Sequence, residues 1–490
     1  METVESIATA VATGAARASD VWAEHVRRHR ERHAGLNALI QTRVAAEQDA
    51  AMIRAGSSGV LAGVPVSVKE CFPVRGLVTT LGLVSRRKDV DAADAEIVVR
   101  LAAAGAVVIG KANVPQAMYL HETDNPVWGR TYHPADPERS PGGSSGGDAA
   151  LVAAGVVPLA VGNDLAGSLR QPAHSCGLAT IVPRTSILGG GGAVRTMPRL
   201  TVVRTRAGFL ARHVADLRRG LLAVGVDVAG ERAEDETSRR PVALADLRVG
   251  WWDDAGPIPG SPAVVRAVRE GVEAVRGAGC QIVPLDGTIA TDAAWLHLAI
   301  LAADGGRQVR ALFGRARPIP GVARLLRLAR LPRWLRRPLA AVAAASGRLI
   351  EAQALAATGP LAPAAFARLL DRRAAFMARC TEHMRECDVL VCPVSAVPAL
   401  RHGTAARLML AAAPCLLANL LDLAAGAVPV TRVRADEEAG RRATRDPLVA
   451  LAADCDRGST GLPVGVQVVA APHRGERDVL EVMQAIERRA

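Results

Sequence analysis

Residues 140–173 read SPGGSSGGDAALVAAGVVPLAVGNDLAGSLRQPA, and the fold turns on how this run is parsed. Two Gly/Ser clusters, PGGSSGG and NDLAGS, are separated by an Ala-rich stretch of helical length and by VVPLAVG, a β-branched run that reads as a buried strand. Helix, strand and tight polar turn in that order make one unit of an α/β protein. Glycine lets a backbone turn sharply and approach other groups closely, so the two clusters can bring Ser144 or Ser145 beside Ser168. The NDLAGS turn also offers successive backbone N–H groups, the arrangement a developing oxyanion requires.

Working outward, residues from about 60 to 180 keep the same texture. VPVSV, AVVIG and VVPLAVG alternate with helical segments such as AADAEIVVRLAAAG, which predicts an α/β domain on a mixed sheet. Other functions of the Gly/Ser clusters fit less well. A phosphate-cradling loop needs G-x-x-x-x-G-K-[ST], which does not occur here. Gly142, Ser144 and Gly146 match G-x-S-x-G formally, but a nucleophile elbow follows a strand, and here Pro141 and a polar loop precede it. A flexible linker does not fit between such apolar flanks.

A nucleophilic serine needs a base. His174 lies six residues after Ser168, close for an independent base, with Gln171 and Pro172 between them. Lysine is the other chemical solution, since Ser-Lys catalysis is an established variant of triad logic. Of the 60 Lys and Arg residues only Lys69, Lys88 and Lys111 are lysines, yet Lys69 ends the apolar run GVPVSVKE at 63–70. A guanidinium stays charged at any working pH, whereas a desolvated amine can lose its proton and act as a base. A lysine snorkelling from a strand end is the plainer alternative.

Composition sets the frame. The chain has 490 residues, half of them hydrophobic, with only 6 Trp, 2 Tyr and 5 Phe, so Ala, Val and Leu must fill the core and line any pocket. The net charge of +12 favours anionic partners, but it is mostly scattered and follows equally from an Arg-rich composition. The eight cysteines, at 71, 176, 280, 380, 387, 392, 415 and 455, form no CxxC pair and no metal-type spacing, and read as buried or free thiols of a reducing compartment. The first 33 residues carry acids early and lack an unbroken apolar core. This pattern is neither a signal peptide nor a spanning helix, and a cytoplasmic location is expected.

Further elements follow from periodicity. Residues 4 to 54 read as helical, with a basic face at Arg27, Arg28, Arg30 and Arg32. LRVGWW (247–252) starts a strand, and SPAVVRAVREGVEAVRGAG forms an amphipathic helix capped by Ser261. Gly189 to Gly192 and ERAEDETSRR (231–240) read as surface loops, CDVLVCP and AVPVTRV as buried strands, and the last dozen residues as a helix. Between Gly305 and Ile350 there is no acidic residue. In GVARLLRLARLPRWLRRPLAAV, Val322, Leu325, Leu326 and Ala329 share one helical side and Arg324, Arg327 and Arg330 the other. Pro332 breaks that helix, and Trp334 and Leu335 begin a second amphipathic piece. A basic helix-turn-helix bearing a Trp has the composition of an interfacial membrane anchor; a solvated basic helix resting on the protein's own core is the alternative.

GVPVSVKE, the SPGGSSGGDAALVAAG block and GNDLAGSLRQPAHSCG stand in the order and at the spacing of the amidase signature family, and the chain resembles that family over nearly its whole length. VPVSVKECF, NVPQAMY, DNPVWG, LRVGWW, LPRWL, LDLAAGAVPVTRV and GLPVGVQVVA resemble its fatty-acid amide hydrolase branch. The resemblance implies one α/β domain over 1–490, a central mixed sheet covered by helices on both faces. Within it, 60–225 would be the signature core, 305–350 a basic amphipathic helical cap, and 380–490 the strands and helix that complete the sheet.

The same resemblance implies a Ser–cis-Ser–Lys triad that cleaves carboxylic amides, with esters as a further class, to acid and amine through an acyl-enzyme. Ser168 would be the nucleophile, Ser144 the bridging serine on a cis peptide and Lys69 the terminal base, with Ser145 supporting the relay. The amides of Leu165, Ala166, Gly167 and Ser168 would hold the oxyanion, Asp164 and Arg170 would brace that turn, and Met118 would lie beside the nucleophile. No metal or organic cofactor and no nucleic acid is expected. The expected partners are a lipophilic amide, an anionic membrane face touching 315–345 and a second copy in a homodimer.

The chain departs from the family pattern in places. Ala166 stands where Gly is usual, Asn163 where Thr is frequent, and GLATIVPRTS follows Cys176 in place of a G-L-K-P-T type run. In the cap, Ala340, Ala341 and Val342 replace bulkier residues. Two other functions stay open: the glutaminase subunit of a tRNA-dependent amidotransferase, favoured by the positive charge and opposed by the cap, and a non-catalytic membrane- or nucleic-acid-binding relative, opposed by the intact Lys69, Ser144 and Ser168.

Overall fold

The computed structural model describes residues 2–228, 243–441 and 444–489. Its centre is an 11-stranded sheet. From one edge to the other run Leu39–Thr42, Val107–Ala112, Pro65–Lys69, Leu159–Asp164, Arg206–Ala211, Ala179–Val182, Ala425–Arg432, Pro463–Ala470, Val389–Pro393, Arg248–Trp251 and Gln281–Pro284. The sheet is mixed. Pro65–Lys69 is parallel to both its neighbours, Arg248–Trp251 is parallel to both of its own, and the remaining pairs are antiparallel.

Strand residues alternate between two hydrophobic cores because successive side chains point to opposite faces. Val108, Val161, Phe209 and Val428 pack into one core, while Val107, Ile109, Ala160, Leu210 and Ala427 pack into the other. The first core is covered by helices Val214–Ala223, Pro262–Gly277 and Glu476–Glu487, the second by Gly146–Ala153 and Arg170–Cys176. Helices therefore cover both faces, as the sequence predicts. All eight cysteines are buried and free.

Ser261 caps Pro262–Gly277, accepting from the Val264 amide at 3.3 Å. Two expectations need correction. Residues 4–54 are not uniformly helical: helices Val4–Ala12, Ala18–Leu36 and Ala46–Met52 enclose Leu39–Thr42, which forms the sheet's edge strand against Val107–Ala112. Arg27 and Arg28 of the predicted basic face are paired with Glu24, Glu31 and Glu2.

The basic segment does form two helices, Pro320–Arg330 and Arg333–Ala345, with Pro332 capping the second. Val322 and Leu326 are buried while Arg324, Arg327 and Arg330 are at least partly exposed. Arg336, however, is not part of a solvated basic face. It is buried and donates to the carbonyls of Leu328, Leu331 and Leu355 and to Thr358, which ties the second helix to the protein. The predicted loop at 231–240 lies outside the described residues. Among the described residues no helix is long and apolar enough to cross a membrane.

Candidate active site

In the strand Pro65–Lys69, Val66 and Val68 enter the first core, which turns Ser67 and Lys69 to the opposite face, under the helix Gly146–Ala153. That helix starts against backbone: a Cβ at Gly147 would overlap the main chain of Asn113. The polar loop before it carries a cis peptide bond between Gly143 and Ser144. The two Gly/Ser clusters meet where the Ser145 amide donates to the Ser168 carbonyl at 3.1 Å.

Lys69 is completely buried. Its nitrogen lies 2.7 Å from Ser144 Oγ, 2.9 Å from Ser145 Oγ, 2.8 Å from Asn163 Oδ1 and 3.3 Å from the Asn163 carbonyl oxygen. A neutral amine has two N–H groups and one lone pair. The two Asn163 oxygens can only accept, so only a serine hydroxyl can meet the lone pair. Burial pulls Lys69 down from 10.5 to about 8, against the opposing fields of Cys71, Asp148 and Asp164. An appreciable neutral fraction is thus present near neutral pH.

The turn after Leu159–Asp164 is held by a buried ion pair. Burial would raise the Asp164 carboxyl, but the charge and hydrogen bonds of Arg170 outweigh it and hold the group far below the ordinary carboxylate range. Arg170 Nη2 donates to Asp164 Oδ1 at 3.0 Å and to Asn419 Oδ1 at 2.6 Å, and its Nη1 reaches the Cys415 carbonyl and Gln467. Asp164 in turn accepts from the amides of Gly167 at 2.8 Å and Leu169 at 3.1 Å. These contacts bear on the four expected oxyanion donors. The Gly167 amide is committed to Asp164, whereas those of Leu165, Ala166 and Ser168 have no acceptor among the described residues. Gly167 takes φ +94°, a left-handed conformation that suits glycine, and packs against Cys415.

Ser144, Ser168 and Met118 line one cavity of about 330 Å³. It runs past Leu298, Leu301 and Leu410 to Leu325 and Leu328 of the first cap helix and Leu355 beyond it. The Ser168 hydroxyl makes no hydrogen bond to Ser144 among the described residues; both face the same space. His174 is held between the carbonyls of Gly465 and Val397, each at 3.0 Å, away from the cavity lining.

Three residues near the serines escape sequence reasoning. His121 lines the cavity with Nε2 3.0 Å from the Ala166 carbonyl, and burial lowers its pKa. The Asn163 side chain, noticed only as a departure from a family pattern, supplies an acceptor to Lys69. Asp148, in the first turn of Gly146–Ala153, is wholly buried and accepts from Ser67 Oγ at 2.9 Å. Nothing in local sequence marks His121. The other two are marked only by polarity inside apolar runs.

The model of the family described as Amidase matches residues 20–480. Fatty-acid amide hydrolase 1 of Sus scrofa is 32% identical over 90% of this chain and 78% of its own length. A glutamyl-tRNA(Gln) amidotransferase subunit of Deinococcus radiodurans is also 32% identical, over 90% of this chain and 88% of its own. A solved fatty acid amide hydrolase superposes with a TM-score of 0.82 at 21% identity, covering 99% of this chain and 84% of that one, which shows the shared fold. With a match of this extent around a buried lysine and paired serines, the chain belongs to the amidase family and is an amide hydrolase.

Proposed function

We propose that the protein hydrolyses lipophilic carboxylic amides to acid and amine, with Ser168 as nucleophile, Ser144 as bridge and Lys69 as base. The observation that carries this reading is the buried Lys69 amine, 2.7 Å from Ser144 Oγ and in contact with two Asn163 oxygens that can only accept. As Ser168 Oγ attacks the carbonyl carbon, its proton passes to Ser144, whose own proton passes to Lys69. The carbonyl electron pair moves onto oxygen, which the free amides of Leu165, Ala166 and Ser168 receive. The reverse relay protonates the departing nitrogen, without which an amine is a poor leaving group. Water then enters by the same route and releases the acid from the acyl-enzyme.

Lipophilic substrates are favoured because the cavity is walled mainly by aliphatic side chains and ends at the cap helices. On the cap, Trp334 is 75% and Val342 67% exposed, beside Arg333 and Arg337. Exposed apolar side chains flanked by exposed arginines fit an anionic lipid surface. The alternative is glutaminase activity within an amidotransferase, supported by the Deinococcus relative. Glutamine's polar side chain gains little from the leucines lining this cavity.

The test is to incubate the protein with primary amides of increasing acyl length and quantify released acid by mass spectrometry. We expect hydrolysis that improves with chain length and disappears in Ser168→Ala. Hydrolysis of glutamine alone, with no acyl amide turned over, would replace this reading by the amidotransferase one.

A further inference from the structure

Asp148 is a buried charge that the relay described above does not use. It is inaccessible to solvent, its Oδ1 accepts from Ser67 Oγ at 2.9 Å, and its Oδ2 has no hydrogen-bond partner among the described residues. A carboxylate in such a place is costly unless a cation compensates it. Ser67 and Lys69 share one face of their strand, and Asp148 sits three residues after Ser145, which is itself bound to Lys69. Lys69 is accordingly the cation whose field reaches it.

The other groups around Lys69 are committed elsewhere. The Cys71 thiol is pushed up to about 12 by burial and stays neutral. Asp164 is paired with Arg170 at 3.0 Å. His121 is kept neutral by burial. Among the described residues Asp148 has no ion-pair partner of its own; burial raises its carboxyl, while the Ser67 hydrogen bond and the Lys69 charge favour its ionised form.

We propose that Asp148 is a positioning carboxylate beneath the relay, one that stabilises the ammonium formed on Lys69 during acylation and thereby sets the basicity of the catalytic lysine. This rests on Lys69 being the base, as proposed above. When Ser168 attacks, the buried Lys69 gains a proton, and the fixed charge of Asp148 offsets that new charge. Asp148 itself exchanges no proton in the step. Its role resembles that of the aspartate behind the histidine of a Ser-His-Asp triad, which stabilises the imidazolium without becoming protonated.

The experiment is the pH dependence of kcat/KM for an acyl anilide, measured on wild type, Asp148→Asn, Asp148→Glu and Ser67→Ala, each checked for folding by circular dichroism. Removing the anion makes Lys69 a weaker base, so the acidic limb of Asp148→Asn should move to lower pH by about one unit. Its plateau should fall by up to about tenfold, because a weaker base transfers the proton less effectively. Asp148→Glu should restore the wild-type limb. Ser67→Ala removes the donor that favours ionised Asp148, and should shift the limb the same way by less; this variant decides the matter if Asp148→Asn does not fold. A folded Asp148→Asn or Ser67→Ala with an unmoved limb, or one moved to higher pH, would overturn the proposal. A folded wild type with no anilide or amide turnover would instead sink the underlying assignment of Lys69 and Ser168.

Discussion

Lysine and arginine differ most where water is absent, and position 69 tests that difference. Arginine there could bond the same oxygens but could not surrender its proton. Both Lys69→Ala and Lys69→Arg should therefore lower kcat/KM by about 10,000-fold, as loss of a triad member does elsewhere; steady-state kinetics on a folded variant checks this. In the wild type, kcat/KM should rise with pH through about 8, because the folded pKa lies below the ordinary lysine value and activity follows the neutral form. A profile flat from pH 6 to 9 would contradict it. At this scale the sequence was informative where chemistry forced an unusual residue, as with Lys69 among arginines. It was silent on Asp148, which reads as one polar residue in a helix start, and on the Gly167 amide, whose use depends on where Asp164 points.

Among the elements, the turn after Leu159–Asp164 depends on an ion pair with both partners fully buried. Removing one partner leaves the other charge uncompensated. Arg170→Ala should destabilise the fold by about 3–5 kcal/mol, read from urea denaturation, and reduce activity because the Asp164 carboxylate no longer fixes the turn. The cap carries a separate prediction. Trp334→Ala combined with Val342→Ser should weaken binding to anionic vesicles by about tenfold while leaving hydrolysis of a short water-soluble amide unchanged; vesicle flotation and kinetics read the two effects. Periodicity revealed both cap helices and the proline break between them. It did not reveal that Arg336 turns inward, nor that Leu39–Thr42 is a strand. Each outcome is set by partners that local periodicity does not register, the carbonyls of Leu328, Leu331 and Leu355 in one case and Val107–Ala112 in the other.

In the molecule as a whole, residues from widely separated segments build one cavity: Met118, Ser168, Leu301 and Leu328 are among those that line it. Sequence motifs marked the polar end of this space because glycines, serines and a lysine cluster there. The aliphatic end carried no such mark, since Ala and Leu are also what the core is made of. Ala302 lies on that wall, so Ala302→Phe should lower kcat/KM for long-chain amides by about tenfold or more and spare short ones, a shift visible across a homologous substrate series.

The measurement that bears most directly on the central claim is labelling of the native protein by a fluorophosphonate, located by peptide mass spectrometry in wild type, Lys69→Ala and Ser168→Ala. A serine activated by a buried lysine predicts one modified residue, Ser168, with labelling slowed by orders of magnitude in Lys69→Ala and absent in Ser168→Ala. Labelling of another serine, or equally fast labelling of Ser168 without Lys69, would contradict the account.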